Sequence, residues 1–169
     1  MVRLEKIWED QHNLNKIAEW RDLSIETLRT ADLTKQGISQ INWVSNLKES
    51  EKYYFIYYNE IFVGYCGLDK IHSSNRTAEI SLLINPGHRG QQIGSTAIKE
   101  LLRLGFDVFN LNLIFGEAYE TTTNWEFWIK QGFKPEGILR QRKYWNGKYY
   151  DSTIFSMLKE EWSKMNNDL

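Results

Sequence analysis

The chain is poor in the residues that cross-link or interrupt small proteins, with one cysteine and two prolines among 169 residues. Cys66 cannot form an internal disulfide, and its place in an apolar run indicates a packed side chain rather than a reactive thiol. A net charge of -1 lacks the basic excess that non-specific nucleic-acid binding needs, so no nucleic-acid partner is expected. No apolar run approaches the ~18 residues that span a bilayer, and the charged N-terminus is unlike a signal peptide. We therefore expect a cytoplasmic protein without a membrane partner.

Aromatic and apolar residues, in contrast, are plentiful. They make up 14% and 41% of the chain, and they include seven Trp and nine Tyr. A chain of this length and composition can bury a sizeable core and fits the usual size of one domain. Because the sequence contains no linker, repeat or low-complexity tract, we expect a single domain over residues 1–169.

Hydrophobic periodicity and turn residues predict a mixture of strands and helices. The predicted strands cover residues 2–8, 53–58, 61–68, 78–85, 111–118, 138–145 and 149–158, and the predicted helices cover residues 13–20, 39–48, 95–109 and 124–131. Asn59-Glu60 and Asn146-Gly147 separate neighbouring strands and predict hairpin turns. The resulting order is one strand, two helices, three strands, a helix, a strand, a helix and two strands, which indicates an α/β chain.

A glycine-containing loop over residues 86–95 joins a predicted strand to a predicted helix. Glycines let the backbone approach a ligand closely, and the N–H groups at a helix N-terminus are unpaired and partly positive. This pattern indicates a site for the diphosphate of a nucleotide or coenzyme, although the spacing alone fits an ordinary β-to-α turn equally well. The loop lacks the Gly-Lys-Ser/Thr of a P-loop and the third glycine of a dinucleotide fingerprint.

The surroundings of the loop resemble a known family. The segment EISLLINP at residues 79–86 and the loop RGQQIG at residues 89–94 are similar to the central motif of the GCN5-related N-acetyltransferases, or GNAT family. That family's loop reads Arg/Gln-x-x-Gly-x-Gly/Ala. The segment KQGF at residues 130–133, with Gly137 four residues later, resembles its second signature. The resemblance covers about residues 20–162 and implies the GNAT fold, an α+β architecture with a mostly antiparallel sheet of about seven strands flanked by helices.

The resemblance also implies acetyl-CoA as the cosubstrate. The loop would hold the coenzyme diphosphate through backbone N–H groups, with a charge-assisted contact from Arg89. The loop residues are His88, Arg89, Gly90, Gln91, Gln92, Ile93, Gly94 and Ser95. The backbone of Leu82, Leu83 and Ile84 would contact the pantetheine arm, with one N–H of Leu82 or Leu83 on the thioester carbonyl, although core packing also explains these side chains. Further cofactor contacts are implied for Thr121, Asn124 and Trp128.

One loop position departs from the family pattern. Gln92 occupies the place of the middle glycine, whereas Arg89 and Gly94 keep theirs. The Gln92 side chain either narrows the approach to the loop or itself donates a hydrogen bond to the ligand.

Glu79 is the first candidate for the catalytic base, because family members often carry a carboxylate near the start of this strand. Burial would favour its protonated form and bring it toward a useful range for proton transfer. The alternative for Glu79 is a solvent-facing carboxylate paired with a cation, and Glu117 on the neighbouring predicted strand is the second candidate base. Trp128 occupies the place where many relatives have a tyrosine acid, so protonation of the thiolate would fall to Tyr144, Tyr119 or water. His72 and His88 lack metal-ligand spacing, and no metal is expected.

The acceptor site is expected between the N-terminal helices and the last hairpin, where Trp20, Arg21 and Arg142 are the candidate contacts. Both segments resemble ribosomal-protein N-terminal and nucleotide-amino-sugar acetyltransferases. Their aromatic and cationic residues suit a nucleobase and phosphates. The alternative is a solvated hairpin, which is favoured for Lys143 and Lys148.

These observations together predict direct acetyl transfer to the primary amine of a small molecule, such as a nucleotide-linked amino sugar. A peptide acceptor at a protein N-terminus and a polyamine are the alternatives. A non-catalytic acyl-CoA-binding module of the same fold would also fit Gln92, Thr121 and Trp128. The resemblance also allows a homodimer, as in many members of this family.

Overall fold

One sheet of seven strands runs through the computed structural model, which describes residues 1–24, 38–121 and 124–167. The strands are β1 (Val2–Lys6), β2 (Lys52–Tyr58), β3 (Ile61–His72), β4 (Thr77–Ile84), β5 (Leu113–Tyr119), β6 (Lys134–Trp145) and β7 (Lys148–Leu158). The helices are α1 (Gln11–Asp22), α2 (Ile38–Ser45), α3 (Ile93–Arg103), α4 (Asn124–Lys130) and α5 (Lys159–Asn167). The strand order is β1-β2-β3-β4-β5-β7-β6.

The sheet is antiparallel except at its centre. Strands β4 and β5 run parallel, since the chain crosses between them through α3, whereas the other neighbouring strands are antiparallel. The predicted mostly antiparallel α+β fold is therefore confirmed.

Helices cover both faces of the sheet. One core packs α3 against β4 and β5 and also includes Trp128 of α4 and Trp162 of α5. The second core packs α1 and α2 against β2 and β3, with Trp20 stacked on Phe62 at 5.1 Å between ring centroids. Along β4 the side chains alternate between these cores, so that Ile80 and Ile84 belong to the first and Leu83 to the second.

Both predicted hairpin turns are confirmed by backbone geometry. Asn59 and Glu60 have φ of 48° and 64°, and Asn146 and Gly147 have φ of 47° and 79°. Two consecutive positive φ values are what a type I′ turn requires, and this turn matches the twist of the flanking strands.

The sequence-based prediction missed α5 and misplaced several element ends. Strand β6 begins at Lys134 rather than at residue 138, and α3 begins at Ile93 rather than at residue 95. The start of α5 carries a capping signal, because the Glu161 carboxylate accepts a hydrogen bond from the Leu158 N–H at 2.9 Å. Residues 25–37 lie outside the described structure.

Cys66 is fully buried, as expected from its apolar surroundings. Burial raises the pKa of its thiol well above the usual range, so the reactive thiolate is disfavoured at neutral pH. An acyl-enzyme on Cys66 therefore has no support from the structure. None of the helices in the described part of the chain combines the length and the apolar character needed to cross a membrane.

Candidate active site

The central feature of the site is a gap between β4 and β5. These strands pair only where Thr77, Ala78 and Glu79 lie opposite residues 113–115, although β4 continues to Ile84 and β5 to Tyr119. Beyond Glu79 the two strands separate within one continuous sheet. Their facing backbone groups are thus left available to a ligand that enters the gap.

The hydrogen-bond pattern of β4 shows which N–H groups face this gap. The Asn85 N–H donates to the Val63 carbonyl at 2.8 Å, toward β3. Peptide groups alternate in direction along a strand, so the N–H groups of Leu83 and Ser81 also face β3. Those of Ile80, Leu82 and Ile84 therefore face β5. The Ile80 N–H takes part in the last pairing with β5, at Glu79 and Phe115, whereas those of Leu82 and Ile84 face the gap. This geometry favours Leu82 over Leu83 as the donor to a carbonyl held there.

The loop after β4 ends in an open helix N-terminus. The Asn85 side chain accepts from the Gly87 N–H at 3.0 Å, which shapes a short helical turn over Pro86–His88. Gly90 then takes a φ of 78° before α3 begins at Ile93. Because the Gln92 carbonyl receives the Thr96 N–H, the three preceding N–H groups of α3 have no partner within the helix. The start of α3 thus leaves N–H groups for the anion that the sequence predicts there, and its binding stays a prediction.

Gln92 adopts the left-handed backbone conformation, with φ 60° and ψ 6°, and its side chain makes no capping hydrogen bond. This conformation explains why a glycine is favoured there, since a side chain in the left-handed region costs about 1–2 kcal/mol.

We expect Gln92→Gly to raise the free energy of unfolding by about 0.5–1 kcal/mol, because relief of this strain outweighs the extra freedom of glycine in the unfolded chain. Urea denaturation measures the change. Gln91→Gly is the control, since the neighbouring Gln91 does not have a positive φ and its replacement should be destabilising. A loss of stability in both variants would contradict the prediction.

Glu79 lies at the closed end of the gap and is 4% exposed. Its carboxylate forms an ion pair with the Lys70 Nζ at 2.6 Å. Asp69 lies directly opposite Glu79 on β3, and it accepts a hydrogen bond from the Tyr53 hydroxyl at 2.8 Å. Burial and the neighbouring carboxylate raise the pKa of Tyr53 well above its usual range, so this hydroxyl remains a donor.

Glu117 lies across the gap on β5 and faces the same side of the sheet as Glu79. Phe115 lies opposite Glu79 and therefore points to the same face of the sheet. Glu117 is two residues further along β5, and residues two apart on a strand share a face. The Glu117 carboxylate accepts from the Arg142 Nε at 3.1 Å and from the Ser152 hydroxyl at 2.7 Å. Both candidate bases are therefore buried carboxylates, and each is paired with an exposed cation, Lys70 for Glu79 and Arg142 for Glu117.

A comparison with protein families agrees with this geometry. Residues 17–133 match the model of the acetyltransferase (GNAT) family. The chain belongs to the GNAT family. That match covers more than half of the sequence and includes β4, the loop, α3 and β5.

Several GNAT relatives are similar in sequence over part of their length. The uncharacterised N-acetyltransferase p20 of Bacillus licheniformis is 32% identical over 60% of this chain and 57% of its own. The spermidine N(1)-acetyltransferase of Vibrio cholerae is 31% identical over 53% of this chain and 52% of its own. The ribosomal-protein-serine acetyltransferase of Escherichia coli is 24% identical over 63% of this chain and 60% of its own. The chain thus spans little more than half the length of the curated relatives it matches.

Solved structures reproduce the whole GNAT fold. Mutant forms of the spermidine/spermine N-acetyltransferase SpeG from Vibrio cholerae superpose with a TM-score of 0.82, at 18% identity, covering 98% of both chains. SpeG in complex with manganese ions gives a TM-score of 0.79 at 20% identity, covering 97% of this chain and 96% of that chain. At this level of identity the likeness establishes the fold.

Arg89 does not point freely into the GNAT loop. Its Nε donates to the Ile84 carbonyl at 3.3 Å, and a terminal nitrogen donates to the Ser24 hydroxyl at 2.6 Å. The side chain therefore ties the loop to the end of β4 and to Ser24, two residues after α1. A contact between the other N–H groups of the Arg89 guanidinium and a diphosphate stays a prediction.

Trp128 is a core residue in this GNAT chain. Its indole is 9% exposed, stacks on Phe155 at 4.8 Å and meets Phe133 edge-on at 5.5 Å. Thr121 lies in the turn after β5, and Asn124 begins α4. Cofactor contacts of these three residues stay predictions.

The predicted acceptor residues lie in different surroundings. Trp20 is packed in the second core, whereas Arg21 donates to the Tyr65 hydroxyl at 3.0 Å on the face that carries Glu79. Arg142 reaches Glu117, as described above. Tyr144 is 64% exposed on the terminal hairpin, against Tyr149. Trp20, Arg21 and Arg142 are thus on the same side of the sheet as the carboxylates, with the Trp20 ring covered by the second core.

The expectation that Lys143 is solvated is wrong. It is 8% exposed, and its Nζ lies 4.8 Å from the centroid of the Tyr119 ring and 5.7 Å from that of Trp145. The aromatic residues near Lys143 in the sequence could have indicated that it is buried, because a cation over an aromatic face is stabilised. Lys148 is exposed, as expected.

Sequence reasoning also missed Tyr53, Asp69 and Lys70. Strand pairing brings Asp69 and Lys70 to Glu79, and Tyr53, which is 26 positions from Glu79 in the sequence, joins them through its hydrogen bond to Asp69. A polar residue in an otherwise apolar strand, such as Asp69 after Leu68, was the signal that could have indicated a buried partner.

Proposed function

We propose that this protein transfers an acetyl group from acetyl-CoA to a primary amine, by direct transfer within a ternary complex. The observation that carries the proposal is the gap between β4 and β5 with the buried Glu79 carboxylate at its closed end. The gap thereby offers a place for an extended acyl carrier, and its closed end offers a candidate proton acceptor.

The chain's own groups fit acetyl-CoA. The coenzyme supplies an activated acyl group as a thioester. The inward N–H groups of Leu82 and Ile84 match an extended pantetheine arm that pairs like a strand. The open N-terminus of α3 and Gly90 match a diphosphate. Gly94 keeps the start of α3 close to β4, because a Cβ there would lie 3.3 Å from Leu82.

Two groups would promote the transfer step. Glu79 would take a proton from the acceptor ammonium, directly or through water, and the neutral amine then attacks the thioester carbon. The Leu82 N–H would stabilise the negative charge that develops on the carbonyl oxygen. The departing thiolate needs little help from an acid, since ordinary thiols have a pKa of about 8.5. The attacking nitrogen loses its second proton as the C–S bond breaks, and water can pass this proton to the thiolate in place of the exposed Tyr144.

A polyamine is the acceptor that best fits the charges around the gap. The buried carboxyl groups of Asp69, Glu79 and Glu117 favour a substrate with more than one ammonium. A nucleotide-linked amino sugar has less support, because Arg142 is paired with Glu117 and Lys143 lies over aromatic rings rather than facing a phosphate. The spermidine acetyltransferases among the relatives agree with a polyamine. A protein N-terminus is the second candidate, given the ribosomal-protein-serine relative.

Ligand-dependent thermal stability is the first test. Acetyl-CoA at 100 times its Kd should stabilise the fold by about 2.7 kcal/mol, because a ligand that binds only the folded state shifts unfolding by mass action. NAD at the same concentration should leave the midpoint unchanged. A midpoint that does not move with millimolar acetyl-CoA would contradict coenzyme binding.

Thiol release in the presence of an amine panel then tests the reaction. Release with spermidine that exceeds release with peptide amines would support the polyamine acceptor. The reverse order would favour a protein N-terminus. Binding of acetyl-CoA without release for any amine would indicate a non-catalytic acyl-CoA-binding module. A homodimer stays a prediction.

A further inference from the structure

The Lys70 ammonium occupies a position that an acceptor amine would need. Its Nζ lies 2.6 Å from the Glu79 carboxylate, whereas its side chain is 64% exposed. The buried end of this ion pair is thus the candidate base, and its exposed end is a primary amine on a flexible stem. This contact is chemically the same as the one that the ammonium of an acceptor substrate would make with Glu79.

A local irregularity in β3 brings Lys70 to this place. Neighbouring residues of a strand point to opposite faces, so Lys70 would ordinarily point away from the face that Asp69 and Glu79 share. Strand pairing shifts register between Asp69 and His72, and Lys70 has a φ of 50°. The left-handed conformation and the bulge together turn the side chain toward Glu79. Such a conformation in a lysine is uncommon and costs free energy.

The charges around Glu79 explain why a cation is needed. Asp69 and Lys70 of β3 face Glu79, and Tyr53 of β2 reaches it through Asp69. Glu117 of β5 with its partner Arg142, and Arg21 of α1 on the Tyr65 hydroxyl, share the same face. Two carboxylates directly opposite each other repel, and a positive charge beside them offsets the repulsion. The Lys70 ammonium supplies this charge, and an acceptor ammonium can supply it equally well.

We propose that Lys70 is an internal competitor for the acceptor ammonium and so sets the specificity of the site for cationic amines. The inference rests on the proposed function of Glu79. In the free protein Lys70 holds the Glu79 carboxylate, and a substrate ammonium displaces it without changing the charge of the site. Displacement moves Lys70 into water, where its exposed stem already lies. A neutral or anionic ligand cannot make this exchange.

Steady-state kinetics of Lys70→Met test the competition. Methionine keeps the length of the stem but removes the charge, so the KM for spermidine should fall about tenfold while kcat stays within about threefold. Lys70→Arg keeps a cation and should keep the wild-type KM. Lys134→Met is the matched control, because Lys134 is a similarly exposed lysine paired with Glu161 at 2.5 Å on another part of the surface. An unchanged or higher KM in Lys70→Met, with wild-type activity intact, would overturn the proposal.

A second readout does not depend on turnover. Carboxyl ¹³C NMR of Glu79 follows its titration in the wild type and in Lys70→Met, with Glu79→Gln used to assign the signal. Removing the Lys70 charge should shift the Glu79 titration to higher pH, since a nearby cation favours the ionised form. Titration at the same pH in both proteins would show that Lys70 does not hold Glu79 in solution and would overturn the inference. Absence of thiol release from the wild type would instead overturn the proposed function, with the titration still deciding the Lys70 contact.

Discussion

Replacing Glu79 with glutamine is expected to lower kcat for amine acetylation by about 10²–10⁴, the range that a positioned general base contributes. Glutamine has nearly the same shape, but its amide does not accept a proton from an ammonium. Glu79 is 4% exposed at the closed end of the gap, so bulk water has limited access to the same place. The measurement is thiol release at saturating acetyl-CoA.

The pH profile separates this role of Glu79 from a structural one. A base acts only when it is ionised, so wild-type activity should fall at low pH. In Glu79→Gln the residual activity should lack this acid limb. Glu117→Gln is the matched comparison, since Glu117 is also a buried carboxylate with a surface cation. If Glu117→Gln loses the acid limb and Glu79→Gln keeps it, the two assignments are reversed.

Replacing Phe155 with alanine should lower the free energy of unfolding by about 3–5 kcal/mol, the usual cost of removing a buried phenylalanine. Phe155 is 1% exposed, stacks on Trp128 at 4.8 Å and meets Phe133 edge-on at 5.3 Å. Its ring also lies over Gly116, where a Cβ would approach within 2.5 Å. For a protein of this size the loss corresponds to a fall in Tm of about 6–20 °C.

Urea denaturation and thermal unfolding measure this loss. Phe155→Leu is the control, because it keeps most of the apolar volume and should cost less than Phe155→Ala. Tyr149→Ala provides a comparison outside the core, since Tyr149 is 63% exposed and its removal should change stability little. Equal losses in Phe155→Ala and Tyr149→Ala would contradict the packing described for β7.

The parts of the fold that depend on neighbouring residues were predictable from the sequence. Asn146-Gly147 predicts its turn because Asn and Gly tolerate positive φ, and the structure has φ of 47° and 79° there. The glycine loop predicts an open helix N-terminus for a similar local reason. Gln92 was recognised as a departure, and its left-handed backbone shows why a glycine is favoured at that position.

Contacts across strands were not predictable in the same way. Asp69 and Glu79 are brought opposite each other by the register of β3 and β4, and Lys70 reaches them only through a bulge. Pattern reasoning placed Trp20 at the acceptor site because it is aromatic, but the apolar stripe of α1 buries its ring against Phe62. An aromatic residue on a helix does not reveal which of its surfaces is covered until the packing is known.

The short pairing of β4 with β5 makes the molecule two half-sheets, β1 to β4 and β5 to β7, that share a seam of only three residue pairs. An extended ligand that hydrogen-bonds in the gap beyond this seam would complete the sheet as an additional strand. Binding of the coenzyme would then link the motions of the half-sheet that carries Glu79 to those of the half-sheet that carries Glu117. Slower amide hydrogen exchange on both sides of the seam, and not only at the phosphate loop, would be the signature of that coupling.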